Sequence, residues 1–185
     1  MLFKNTTTLF MLLLCLQLTA CANTLLSSNK IIPYMSVGSG TPKGNDIWIT
    51  EFVFDDNWTA PKGAGSCCWG KASGTQGIFN RPAPKRFKIT WFDYLPERHF
   101  QAEVTLSDEL YDYTLNLPNY FYVVQKEETD IEPILIVGLG KEGEVVVWIS
   151  NAAGSRNISG RVMHEVGRAQ ATCIPSHNEG VPNNC

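Results

Sequence analysis

The sequence predicts a mainly β chain, an antiparallel sandwich or strongly twisted sheet with one short helix. Two segments carry most of that prediction. Arg86 to Phe92 sets Phe87, Ile89 and Trp91 on one face and Arg86, Lys88 and Thr90 on the other. His99 to Leu106 sets Phe100, Ala102, Val104 and Leu106 against His99, Gln101, Glu103 and Thr105. A period of two marks a half-buried strand, because successive side chains leave a strand on opposite faces. The third observation is punctuation. Most other apolar runs are short, rich in β-branched and aromatic residues, and bounded by Gly, Pro, Asn or Asp, as sandwich strands are.

The chain opens on what reads as a lipoprotein leader. Lys4 supplies a small positive region and Leu9 to Leu18 an apolar run too short to span a bilayer comfortably. Leu18-Thr19-Ala20 then leads small residues directly into Cys21. Residues 1 to 20 are therefore expected to be a signal peptide, cut before Cys21, whose thiol receives the lipid. An ordinary secretory leader with a plain thiol at Cys21 is the alternative. Each buried methylene of an acyl chain contributes about 0.8 kcal/mol, so several chains hold firmly. Ala22 follows, not the Asp that favours inner-membrane retention in enteric-type bacteria, so the expected address is the outer membrane, on its periplasmic face. Losing 20 of 185 residues leaves 165, a typical single-domain length. The organisation expected is a tether at 21 to 32, one β-rich domain at 33 to 170 and a tail at 171 to 185 bracketed by Cys173 and Cys185.

The elements follow in order. Ile31 to Val37 is read as a short edge strand, and Ile47 to Phe54 as the first clear one, ended by Asp55-Asp56-Asn57. Residues 59 to 85 hold many Gly, Pro and Ser without periodicity and are read as one long loop, a length usually functional or cross-linked. The two alternating strands come next, joined by a hairpin at Asp93 to Arg98. Ser107 is expected to cap a short helix whose first turn is acidic, and Pro118 to stop it. Tyr120 to Gln125 is read as a strand. Ile134 to Val137 is apolar on both faces, as a central strand is, and Glu144 to Ser150 is its expected hairpin partner. Ser159 to Val166 adds a last strand.

Charge and motifs narrow the function. Removal of Lys4 leaves 14 basic against 18 acidic side chains, near −4. No basic tract tracks a phosphate backbone, so nucleic acid is not an expected partner. Gly138-Leu139-Gly140-Lys141-Glu142-Gly143 matches the dinucleotide fingerprint literally, yet the run after it reads as a strand where that fingerprint needs a helix. A glycine hairpin is the better reading. His99, His164 and His177 lie on separate segments without metal spacing, and neither Asp55-Asp56 nor Glu127-Glu128 has the oxygen pattern of a calcium loop. No metal or cofactor is expected, and no enzyme. With Cys15 lost in the leader, Cys67, Cys68, Cys173 and Cys185 remain, an even count for an oxidising compartment. A Cys173–Cys185 bridge is favoured, with a vicinal Cys67–Cys68 ring or a link to the tail open. Trp48, Trp91 and Trp148 are expected in the core. Trp58 and Trp69 flank the long loop and are the candidate partner anchors, because Trp is enriched in binding hot spots.

Several runs also resemble one bacterial lipoprotein family. They are Ile47-Trp48-Ile49-Thr50-Glu51, Gly65-Ser66-Cys67-Cys68-Trp69-Gly70, Pro84-Lys85-Arg86 before Ile89-Thr90-Trp91, Phe100-Gln101-Ala102, Ile134 to Leu139, and Glu144 to Ser150. In that order they are similar to the domain-of-unknown-function family numbered twenty-nine-thirty-one, over about residues 33 to 165. The double cysteine before Trp is the most specific element, and the tail with Cys173 and Cys185 is outside the pattern. The resemblance implies a small lipoprotein without transferable catalytic residues. Some similar lipoproteins are encoded beside phospholipase effectors of the type VI secretion system and act as periplasmic immunity proteins. The resulting expectation is a lipid-anchored binding protein that neutralises such an effector. A structural envelope lipoprotein without a toxin partner is the runner-up, and a redox or hydrolytic protein using Cys67 or Cys68 the third reading.

Overall fold

Short apolar runs become strands only where another strand takes up their backbone groups, and here two stacked sheets do so. The computed structural model describes residues 30–65, 67–95, 97–129, 131–154, 157–175 and 185. The leader, Cys21 and His177 lie outside these described residues. In chain order the strands are β1 (Ile31–Gly40), β2 (Ile47–Phe54), β3 (Trp58–Thr59), β4 (Gly63–Gly65), β5 (Ser73–Pro82), β6 (Arg86–Asp93) and β7 (Arg98–Thr105). Helix α1 (Leu110–Leu115) follows. Then come β8 (Tyr120–Tyr122), β9 (Glu127–Thr129), β10 (Ile134–Leu139), β11 (Glu144–Ser150), β12 (Ile158–Ser159), β13 (Met163–Gln170) and β14 (Thr172–Ile174).

One sheet runs β13-β11-β10-β1-β5, the other β14-β7-β6-β2-β3 with β4 also on β2. All pairings between named strands are antiparallel except β1 with β10. The fold is thus a mainly β sandwich. Its core is one continuous cluster: Phe87, Ile89, Trp91, Phe100, Ala102 and Val104 from one sheet meet Met35, Val37, Leu135, Val137, Val145 and Val147 from the other. The alternating segments bury the faces their period predicted. A third layer explains why β10 is buried at every position. Gly138 lies beneath Trp148 and Trp69, and Ile134 lines a pocket with Tyr120, Tyr122 and Ile158 of the small β12-β8-β9 sheet.

Several expectations are corrected. Ile31 to Val37 is not an edge: β1 is interior, between β10 and β5. Its Pro, Ser and Gly content looks like an edge, but Ser36 and the glycines sit where the overlying layer comes close. The stretch 59 to 85 is not one loop. It holds β4 and the ten-residue β5, whose residues are mostly exposed because β5 is itself the edge of its sheet. Without a buried face it has no alternation to read. Glu109, not Ser107, occupies the helix N-cap position; Ser107 acts two residues earlier, its Oγ accepting from the Glu109 N–H at 3.1 Å. Tyr120 to Gln125 is broken after Tyr122 by a turn into β9. Ser159 and Val166 belong to different strands in different sheets. Of the three strand tryptophans, Trp91 is fully buried, whereas Trp48 is half exposed.

Candidate functional site

β1 starts at Ile31, opposite Pro82, and ends at Gly40, opposite Gly138. The connections at residues 41–46, 94–95 and 140–143 therefore gather at the far end of the sandwich from Ile31. The outer face of the second sheet changes character toward this end. Near β6's start it is charged, with Arg86 bonded to Glu103 and to Asp56 and Lys88 at 3.3 Å from Glu51. Near β6's end it is aromatic. Trp48 stands opposite Phe92 across the β2–β6 ladder. Phe92 meets Tyr94 edge-on at 4.9 Å and His99 at 4.8 Å. Trp48, Tyr94 and Leu95 are 49%, 53% and 63% exposed. Clustered exposed apolar side chains of this size mark interaction surfaces more often than isolated ones do.

A pocket of 310 Å³ opens beside this patch, lined by Asn45, Asp93, Leu95, Lys141 and Glu142. Two of its polar side chains are buried: Asp93 at 0% and Asn45 at 2% exposure. Asp93 Oδ1 accepts the Leu95 N–H at 3.1 Å, closing an Asx-type turn that starts the hairpin. Asp93 Oδ2 and the Asn45 amide are enclosed beside each other, and the Asn45 amide hydrogen-bonds the Asp93 carboxyl. Burial pushes the Asp93 carboxyl above its ordinary pKa, and Glu142 adds to the rise; the Leu95 N–H, the adjacent Asn45 amide and Lys141 pull the other way. Asn151 makes the contrast. It too is fully buried, but its amide donates to the Pro118 and Gly160 carbonyls and its oxygen accepts the Val162 N–H. Asn151 braces backbone groups; Asn45 and Asp93 are enclosed against each other behind a surface pocket.

The family model described as protein of unknown function (DUF2931) matches residues 28–180. The chain belongs to this family. No curated protein and no solved structure matches it.

The residues that sequence reasoning singled out lie in several places on this DUF2931 chain. Cys67 and Cys68 are bonded to each other, on the short bridge that ties Cys67 to Thr41. Cys173 on β14 is bonded to Cys185, with Cα atoms 5.7 Å apart. Trp58 and Trp69 do not share a surface. Trp58 stacks on Phe54 at 4.2 Å and borders a cleft between β3 and β5 with Phe79 and Arg81. Trp69 meets Trp148 edge-on at 5.4 Å, on the outer face of the other sheet. His99 lies against Phe92, and His164 stacks on Tyr113 at 4.3 Å.

The glycine run of the DUF2931 chain has a packing explanation. A Cβ at Gly138 would stand 2.6 Å from the Trp148 ring, and one at Gly140 3.2 Å from Trp69. Gly143 has φ +86°, in the left-handed region that disfavours other residues. The motif builds a hairpin beneath two tryptophans. Sequence reasoning missed Asn45, Trp48, Asp93, Tyr94 and Leu95. The one available signal was that Trp48 alternates with Ile47 and Ile49, which puts it on the opposite face from them.

Proposed function

We propose that this DUF2931 chain is a lipid-anchored periplasmic binding protein of the immunity type, which captures a secreted phospholipase effector and keeps it from the cell's own lipids. The observation that carries the reading is the Trp48–Phe92–Tyr94–Leu95 surface at the end of the sandwich remote from Ile31. A domain tethered through Cys21 would be held by the segment preceding Ile31, and a binding surface at the opposite end stays accessible to an incoming protein. The leader residues support the tether, and the family resemblance supports the partner class.

The test is co-expression with a periplasm-directed phospholipase encoded beside the gene, in a host that the phospholipase alone kills. Protection by the parent chain, lost in the Trp48→Ala/Tyr94→Ala variant at equal abundance, is the expected result. Failure to protect and failure to form a complex with the purified phospholipase would remove the immunity reading and put the envelope role first.

A further inference from the structure

We propose that the free edge of β5 receives an extended segment of a partner protein, which joins the sheet as an added antiparallel strand with apolar side chains at alternate positions and an acidic residue near Arg81. Among the described residues β5 pairs with β1 on one side, and the backbone groups on its other side have no protein partner. Its residues are exposed along most of its length, with Ile78 the buried one. Such an edge is a template for another chain, and natural sheets blunt it with charge, proline or a short strand. β5 is ten residues long, carries no charge from Ser73 to Asn80, and has its proline at the last position, Pro82. The left-handed residues fall toward its ends, at Gly74 (φ +60°) and Asn80 (φ +49°), and leave Thr75 to Phe79 extended between them.

The surroundings of the edge select the segment. Phe79 is 64% exposed yet held, its ring centroid 5.0 Å from that of Tyr34. Trp58 stands on β3, at the edge of the facing sheet, and lines a 210 Å³ cleft with Gln76, Ile78, Phe79 and Arg81. A strand added here runs along the cleft. Its alternate side chains meet Ile78 and Trp58 on one face and Phe79 on the other. Main-chain bonds supply affinity in this mode, and the flanking side chains supply specificity. Arg81 sets the charge preference. It is exposed, and it makes no ion pair or hydrogen bond among the described residues; a guanidinium matches a carboxylate through its planar fork. A second copy of β5 does not meet that need, because β5 contains no Asp or Glu to set against Arg81 in any register. The site is separate from the aromatic end: Trp58 pairs with Phe54, the last residue of β2, whereas Trp48 is the second. Its failure would leave the binding function proposed above standing.

The experiment follows a labelled, blocked heptapeptide by fluorescence anisotropy as the full chain in detergent micelles is added. The peptide opens with glutamate, to lie near Arg81 in antiparallel pairing, and continues in alternating valine and threonine. A second probe with every amide N-methylated keeps the side chains and loses the backbone donors. Saturable binding of the first probe is expected, at least about tenfold weaker after N-methylation because several backbone hydrogen bonds are lost. Hydrogen exchange at the outward amides of Thr75 to Phe79 should be fast in the free chain and slowed by the peptide. Arg81→Glu should transfer the preference to a probe opening with lysine, and Phe79→Ala should weaken binding of both; each change is at an exposed side chain. Equal binding of the methylated probe, no binding of the first, or an unchanged preference in Arg81→Glu overturns the proposal. So does protection of the outward β5 amides in the free chain, whether by its own leading segment or by a second copy.

Discussion

Asp93 is the residue at which burial and charge are in open conflict. Its carboxyl is enclosed, and burial raises its pKa above the ordinary 3.8. A raised carboxyl pKa means that the folded chain holds this proton more tightly than the unfolded chain does. Its contribution is therefore most favourable below the ordinary value and is lost as pH rises through the raised one. Asp93→Asn keeps an oxygen for the Leu95 N–H and removes the charge. Thermal melts should show the variant more stable than the parent at neutral pH, with the gap closing as pH falls below the ordinary carboxylate value. Gly138 poses the opposite problem, one of space. Gly138→Ala sets a methyl 2.6 Å from the Trp148 ring, and overpacking of this kind costs about 1–3 kcal/mol. Urea unfolding should report a loss in that range, and a far smaller one if Trp148 has room to move. Tyr120 is a third perturbed group, its pKa pushed up to about 12 by burial and by Tyr122. Its phenol stays neutral throughout the physiological range and acts only as a hydrogen-bonding group.

At the scale of elements, position in the sheet matters more than composition. β1 reads as a weak edge strand and is interior; β5 reads as a loop and is a strand. Both have the same cause. β1 and β5 pair along most of their lengths, from Ile31 opposite Pro82 to Ser39 opposite Ser73. Backbone hydrogen bonds to β1 hold β5 extended, with only Ile78 buried on it. Such pairing leaves no trace in side-chain periodicity. Val37→Asp should abolish folding as judged by circular dichroism, because Val37 is fully buried in the core between two neighbouring strands. Gln76→Lys, directly opposite on exposed β5, should stay within about 0.5 kcal/mol of the parent. Comparable losses at both positions would contradict this assignment of interior and edge. The clean alternation of β6 and β7, by contrast, was legible because each has one face on the core and one toward solvent.

The whole molecule adds two features to its sandwich: a pinned C-terminus and an aromatic end. The Cys173–Cys185 bridge closes a sequence separation of 12, and a loop of that size contributes about 3 kcal/mol in the chain-entropy picture. Cys173→Ala/Cys185→Ala should lower the urea midpoint accordingly, with fraying at β14, an edge strand on β7. Exchange protection of the Thr172–Ile174 amides checks where the loss falls. The aromatic end is set by tertiary structure alone. Trp48, Tyr94 and Leu95 come from two separate segments, and Asn45, Asp93 and Glu142 from three. Trp48→Ala should reduce affinity for the proposed partner by about 2 kcal/mol, as a hot-spot residue does, while leaving the melting temperature nearly unchanged because the ring is half exposed. Trp58, stacked on Phe54 and packed on the core, should do the reverse under the same substitution.

The sequence by itself determined the class of fold and its family, because both are written in local pattern. Alternation in Arg86 to Phe92 and His99 to Leu106, the apolar run at Ile134, and the glycine hairpin before Glu144 each carry their meaning within a few residues. The strand-to-strand order, the interior place of β1, the existence of β5, and the separation of Trp58 from Trp69 were decided only in three dimensions. So was the pocket: two of its buried polar residues look like ordinary turn residues in the chain, an Asn after Pro-Lys-Gly and an Asp before Tyr-Leu. They come together because sheet pairing brings three distant connections to one end, where burial strips them of water and sets the Asn45 amide against the Asp93 carboxyl.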